Sequence, residues 1–124
     1  MILDASFLIS VDRGDEPARV FLETARAAGE PLHTTHPVVA QVWRDGATQA
    51  RLATFVRSVE VHPLDDGAVV GRLLAQARAT DVVDAHLVVV AVRLGQGLVT
   101  GDVHDLTRLA EVFGSLAPVV HAWP

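Results

Sequence analysis

Short runs of β-type residues separated by longer stretches of helical periodicity place the strongest constraint on this fold. Strands joined through helices run parallel, and parallel sheets are covered on both faces. The runs at 1–4, 32–34, 59–62, 98–100 and 118–121 read as strands. Residues 5–11, 16–28, 37–44, 48–58, 65 or 66 to 79, 82–94 and 105–113 read as helices. Local chemistry sets several boundaries. Asp15 and Pro17 open the second helix and Gly29 stops it, Gly46 divides the middle pair, and Pro63 ends a strand. Gly95-Gln96-Gly97 precedes a strand, so it reads as a helix cap and turn and not as a dinucleotide loop. The helix at 82–94 is the most apolar and is expected to pack on the sheet. The expected architecture is therefore α/β: a three-layer α/β/α single domain, residues 1–124, with a mostly parallel sheet of about five strands.

Composition narrows the function. With 50 % apolar residues the chain can bury a full core, and with no cysteine it has neither disulfides nor thiolate zinc sites. The start of the chain lacks a basic n-region and meets an aspartate at position 4, which argues against a signal peptide. No apolar stretch is long enough to span a bilayer, so a cytoplasmic protein without a membrane partner is expected. A net charge of −5 argues against simple electrostatic attraction to nucleic acid. All ten basic residues are arginine, which suits bidentate phosphate contacts, although GC-rich codon usage gives the same bias.

The acidic residues are placed unevenly. Asp4 ends the first strand, Asp81 and Asp84 begin the apolar helix, and Asp102 and Asp105 follow the strand ending at Thr100. Each pair, taken alone, reads as helix capping and dipole compensation. Capping does not explain why all three places follow β-like runs whose carboxyl ends, in a parallel sheet, open on one edge. Open α/β sheets bind ligands at that edge. Carboxylates gathered there repel one another unless a hard cation holds them, and oxygen ligation suits Mg²⁺ or Mn²⁺. Ser6 either bonds a group at this site or caps the first helix. Thr100 either contacts a phosphate or simply occupies a strand position.

Taken in order, Met1-Ile2-Leu3-Asp4-Ala5-Ser6, Asp84-Ala85 on an apolar helix, and Leu98-Val99-Thr100-Gly101-Asp102 with Asp105-Leu106 resemble the signature blocks of PIN domains. The resemblance spans the chain and is nearest to the small VapC-type toxins of bacterial toxin–antitoxin pairs. It implies a Mg²⁺- or Mn²⁺-dependent endoribonuclease acting on RNA, usually a homodimer, neutralised by a small antitoxin protein that fills the groove. It also implies metal carboxylates at Asp4, Asp84 and Asp102, with Asp105 an additional acid. One position departs from the pattern: Gln41 stands where the family carries a glutamate. Its amide oxygen can ligate a metal or orient water but has no charge and cannot act as a base. Asp81, one turn before Asp84, partly restores the charge. The alternative to an active nuclease is a weakened or inactive PIN-fold module that binds an antitoxin-like partner or RNA. A phosphotransfer receiver also has a strand-end acidic pocket but calls for a lysine, which this chain lacks.

The remaining features read as structural. The six histidines show no metal-ligand spacing in sequence and are expected at the surface or in packing. Trp43 is expected in the core or in a dimer interface, the alternative being stacking on a base or a partner side chain. Arg44, Arg51 and Arg57 form either a phosphate-facing stripe or a solvated helix face.

Overall fold

A computed structural model of the chain describes residues 1–124. Five strands, β1 (Ile2–Leu3), β2 (His33–Thr35), β3 (Glu60–His62), β4 (Leu98–Thr100) and β5 (Val120–Ala122), form one sheet in the order β3-β2-β1-β4-β5. All four pairings are parallel, so the sheet is parallel throughout where a mostly parallel one was expected. The helices are α1 (Ala5–Arg13), α2 (Glu16–Ala27), α3 (His36–Val42), α4 (Ala50–Ser58), α5 (Gly67–Ala77), α6 (Val82–Leu94) and α7 (Val103–Glu111). A 3₁₀ turn, Gly114–Leu116, precedes β5.

Chain direction explains the layers. From β1 the chain steps outward to β2 and β3 through α1–α4, then returns across β1 to β4 and β5 through α5–α7. Right-handed crossovers put helices of opposite travel on opposite faces. The packing agrees: α1 contacts α2, α3 and α4, whereas α5, α6 and α7 contact one another. The result is a three-layer α/β/α sandwich. Travel reverses between β1 and β4, which makes that gap the topological switch point where open sheets bind ligands.

The core follows from these layers. α6 is buried at every residue from Ala85 to Ala91, because it lies over the sheet and between α5 and α7. The opposite layer is centred on Phe7, which packs against Phe21, Phe55 and Trp123 at centroid distances of 5.1, 6.0 and 4.6 Å. The Trp123 indole N–H donates to Ser10 Oγ at 3.0 Å, pinning the segment after β5 onto α1.

Several boundaries differ from expectation. β2 begins one residue late because the parallel ladder starts where the His33 amide donates to the Met1 carbonyl. The helices at the middle of the chain end at Val42 and restart at Ala50, because Gln49 ties the connecting loop. Its side chain accepts from the amides of Arg44 and Asp45 and donates to the Val42 carbonyl. α5 stops at Ala77, where Arg78 adopts a left-handed conformation at φ 53°. Asp66 stands at the N-cap position of α5 without capping it, and its carboxylate pairs with Arg93 instead. Trp43 lies outside the core: it is about one-third exposed and covers Gly46, where a Cβ would come within 2.9 Å of the indole.

Candidate metal centre

Asp4 follows β1 and is the N-cap of α1. Its carboxylate is buried, 7 % exposed, and both oxygens are engaged. Oδ1 accepts from Ser6 Oγ at 2.6 Å and from the Phe7 amide at 3.2 Å. Oδ2 accepts from the Thr100 hydroxyl. Thr100 Oγ1 in turn accepts from the Asp102 amide, and Ser6 Oγ accepts from the Gly101 amide, each at 2.8 Å. Ser6 is thus not the cap of α1. It and Thr100 are two bridges that lock the loop after β4 against the loop after β1, across the switch point. Gly101 lies close beneath this bridge, where an added Cβ would meet Ser6 Oγ at 3.0 Å.

Asp81 realises the capping reading: its Oδ1 accepts from the Asp84 amide at 3.0 Å. Asp102 does not. It occupies the N-cap position of α7 but makes no side-chain capping bond, so its exposed carboxylate is free. Asp84 is half-buried in the first turn of α6, and no donor reaches its carboxylate. Its pKa is pushed up from 3.8 to about 7, first by burial and then by the charges of Asp81, Asp102, Asp4 and Asp105. Four carboxylates from three separate segments thus act on the fifth. A carboxyl group destabilised in this way is relieved either by a proton or by a cation.

A cleft of about 240 Å³ opens beside Asp84, lined also by Asp81, Asp105, Arg78, Arg108 and Thr80. Arg108 donates to the Ala77 carbonyl at 3.0 Å, which fixes the α7 side of this cleft to the end of α5. These two arginines were missed in the sequence. The only signal for Arg108 was its helical offset of three from Asp105, and Arg78 depends on the left-handed end of α5. The arginines singled out in sequence lie elsewhere. Arg44 bonds the Ala40 and Trp43 carbonyls, and Arg51 reaches toward the Asp12 carbonyl and packs on Gly14. Gln41 is exposed on α3, makes no side-chain hydrogen bond, and does not line the carboxylate cleft.

The donor chemistry here fits a hard divalent cation. The groups are carboxylates and hydroxyls, and the negative charge on Asp84 has no cationic partner. Asp84, Asp102 and Asp105 have free oxygens for ligation, while Asp4 has both oxygens already hydrogen-bonded.

Three of the six histidines take the packing role expected of them. His33, His62 and His86 are buried, and one group of potential ligands lies together where no spacing suggested it. Ligand atoms of His33, Glu60 and His62 fall within 4.8 Å of one another. The overlooked signal was Glu60-x-His62, an offset of two that places both side chains on one face of a strand.

The architecture is an α/β domain with a PIN-like fold. No family model matches the chain and no curated protein matches it. Among solved structures, it is similar to a chain of VapBC2 from Rickettsia felis bound to a DNA fragment from their promoter. The TM-score is 0.71 at 15 % identity, covering 99 % of this chain and 98 % of that one. That likeness over the full length shows the fold. No helix is long and apolar enough to cross a membrane.

Proposed function

We propose that the protein is a Mg²⁺- or Mn²⁺-dependent endoribonuclease, the toxin of a toxin–antitoxin pair, built as a single domain over residues 1–124. The observation that carries this reading is the convergence of Asp4, Asp81, Asp102 and Asp105 on Asp84 at the switch point of the sheet. The shared fold with a chain of the VapBC2 structure supports it.

In this reading Asp84, Asp102 and Asp105 close on the cation when it binds, since without it their oxygens are not all within 4.8 Å of one another, and Asp81 adds charge. Asp4 serves partly as a ligand and partly as the anchor that keeps Ser6 and Thr100 in place. A divalent cation bound there supplies charge neutralisation for a phosphodiester and an acidified water. Arg78 and Arg108 stand beside the cleft, where guanidinium forks orient the phosphates flanking the scissile bond. They also give an RNA-binding face to a chain that is acidic overall. The protein acts in the cytoplasm, and its partner is a small antitoxin protein that neutralises it by occupying this groove.

A homodimer belongs to the same proposal. An apolar groove of about 780 Å³ lies along α2, lined by Pro17, Val20, Phe21, Ala25 and Trp123. A self-complementary contact there would cover Val20, now 46 % exposed. Val20→Asp is expected to leave a monomer by light scattering. An unchanged mass would remove α2 from the interface.

The direct test is cleavage of total RNA by purified protein with Mn²⁺, Mg²⁺ or EDTA. Cleavage with either metal, and none in EDTA, is the expected result. A second reading is favoured by Gln41, which is uncharged, exposed and away from the cleft: a module that keeps metal and partner binding but cleaves weakly or not at all. Metal-dependent stabilisation without RNA cleavage would select it.

A further inference from the structure

We propose that His33, His62 and Glu60 form a second cation site, for Zn²⁺ or a similar transition metal, that ties edge strand β3 to β2. The parallel register pairs His33 with Glu60 and Thr35 with His62. Side chains two apart on a strand share a face, so these three emerge together on one side of the ladder. His33 Nδ1 and His62 Nε2 lie 3.0 Å apart. The Glu60 carboxylate reaches to 3.5 Å from His33 Nδ1 and to 4.0 Å from His62 Nε2. Ligands about 2.0–2.1 Å from a tetrahedral zinc ion stand about 3.3 Å from one another. The gap between the nitrogens therefore needs only a few tenths of an ångström of adjustment.

Burial and donor type select the ion. The two imidazoles are 8 % and 9 % exposed, so their positions are set by packing, while Glu60 stays on the solvent side. Without a cation, one ring nitrogen must donate to the other, and each spends its inward atom on that bond. A cation replaces this contact with two ligand bonds and draws in Glu60. Two imidazoles and one carboxylate suit Zn²⁺, whereas Mg²⁺ prefers oxygen donors and keeps its waters. Three protein ligands leave a further position open on the Glu60 side. The site shares no residue with the carboxylate cleft and does not depend on the nuclease reading.

The test is calorimetric Zn²⁺ titration of the EDTA-treated, dialysed full chain in excess Mg²⁺, with Co²⁺ absorption as a reporter of geometry. One equivalent of Zn²⁺ is expected, retained in Asp84→Asn, and Co²⁺ should give the strong visible bands of a four-coordinate site. His62→Gln should weaken Zn²⁺ by about 100-fold or more, and Glu60→Ala by about tenfold or more. Because Glu60 is exposed, its substitution leaves folding intact and keeps the test valid if His62→Gln unfolds. Loss of the Zn²⁺ equivalent in Asp84→Asn, or undiminished affinity in Glu60→Ala, would overturn the proposal. So would the absence of any Zn²⁺ uptake in excess Mg²⁺.

Discussion

Asp84 carries the largest electrostatic imbalance in the molecule, and its consequences are measurable without any substrate. Its pKa in the folded protein lies near 7, raised from 3.8 by burial and by four neighbouring carboxylates. The folded state therefore holds this proton more tightly than the unfolded chain does. Stability of the metal-free protein from this group is full at acid pH and falls as pH rises from about 4 to about 7. His33 and His86 act in the opposite sense. Burial lowers their pKa values from 6.5, so their contribution is present above that value and lost as pH falls below it. Urea melts in EDTA across this range should show wild-type stability as a compromise of the two. In Asp84→Asn the decline should vanish, leaving a profile that rises with pH. Identical profiles for the two proteins would remove Asp84 from the acidic cluster. On the proposed function, the same substitution should lower metal-dependent RNA cleavage by about 100-fold or more. Gln41→Glu is the complementary change. Because Gln41 is exposed and outside the cleft, the added charge should change Mn²⁺ affinity and cleavage little, by less than the tenfold that about 1.4 kcal/mol would give. Tighter Mn²⁺ binding by calorimetry would instead bring α3 to the site.

The loops after β1 and β4 work as one element, because Ser6 and Thr100 each bridge them. Thr100→Val keeps the buried shape but deletes the donor to Asp4 and the acceptor for the Asp102 amide, at a cost of about 1–3 kcal/mol by urea denaturation. Ser6→Ala should cost about 1–2 kcal/mol for its pair of bonds. Asp4→Asn is not silent either, since its new amide N–H₂ meets the Thr100 hydroxyl where a carboxylate oxygen accepted. Wild-type melting midpoints in these variants would mean that the bridges are not made in solution. Much of this was legible in the sequence: Asp4 and Asp102 stand where β-type runs end, and parallel topology carries both to the same edge. The bridging roles of Ser6 and Thr100 were not, because each hydroxyl had a plausible local use and the closing contacts span 96 and 95 residues. The helix α6 was legible in full from its apolar run and from the cap and stop at Asp81 and Gly95. The end of α5 was read two residues long, since nothing in the letters announces a left-handed arginine. The His33–His62 pair escaped for another reason. His62 has Glu60 two residues before it on β3, but His33 has no ligand neighbour on β2, and only the register of β2 on β3 brings it to the other two.

Across the whole molecule, a cation at the carboxylates should act as a brace between α6, α7 and the strand ends. Binding to the native state alone adds about 2.7 kcal/mol when the ion is at 100 times its dissociation constant. For a domain of this size that is about 10 °C in the melting midpoint. Thermal scans with Mn²⁺, with Mg²⁺ and with EDTA should separate by this order. Superimposable scans would argue that no divalent ion binds the native fold. The strand order carries a last consequence, for the growing chain on the ribosome. β1 is made first and lies at the middle of the sheet, but its partner β4 is made almost last. Asp4 leaves the peptidyl transferase centre nearly a hundred residues before Thr100 and Asp102, a delay of roughly 5–20 s at ordinary elongation rates. During that interval the emerging polypeptide has the first aspartate but neither the hydroxyl that orients it nor the acids that complete the cluster. On the proposed function, the centre cannot act on the messenger being translated until synthesis is nearly over.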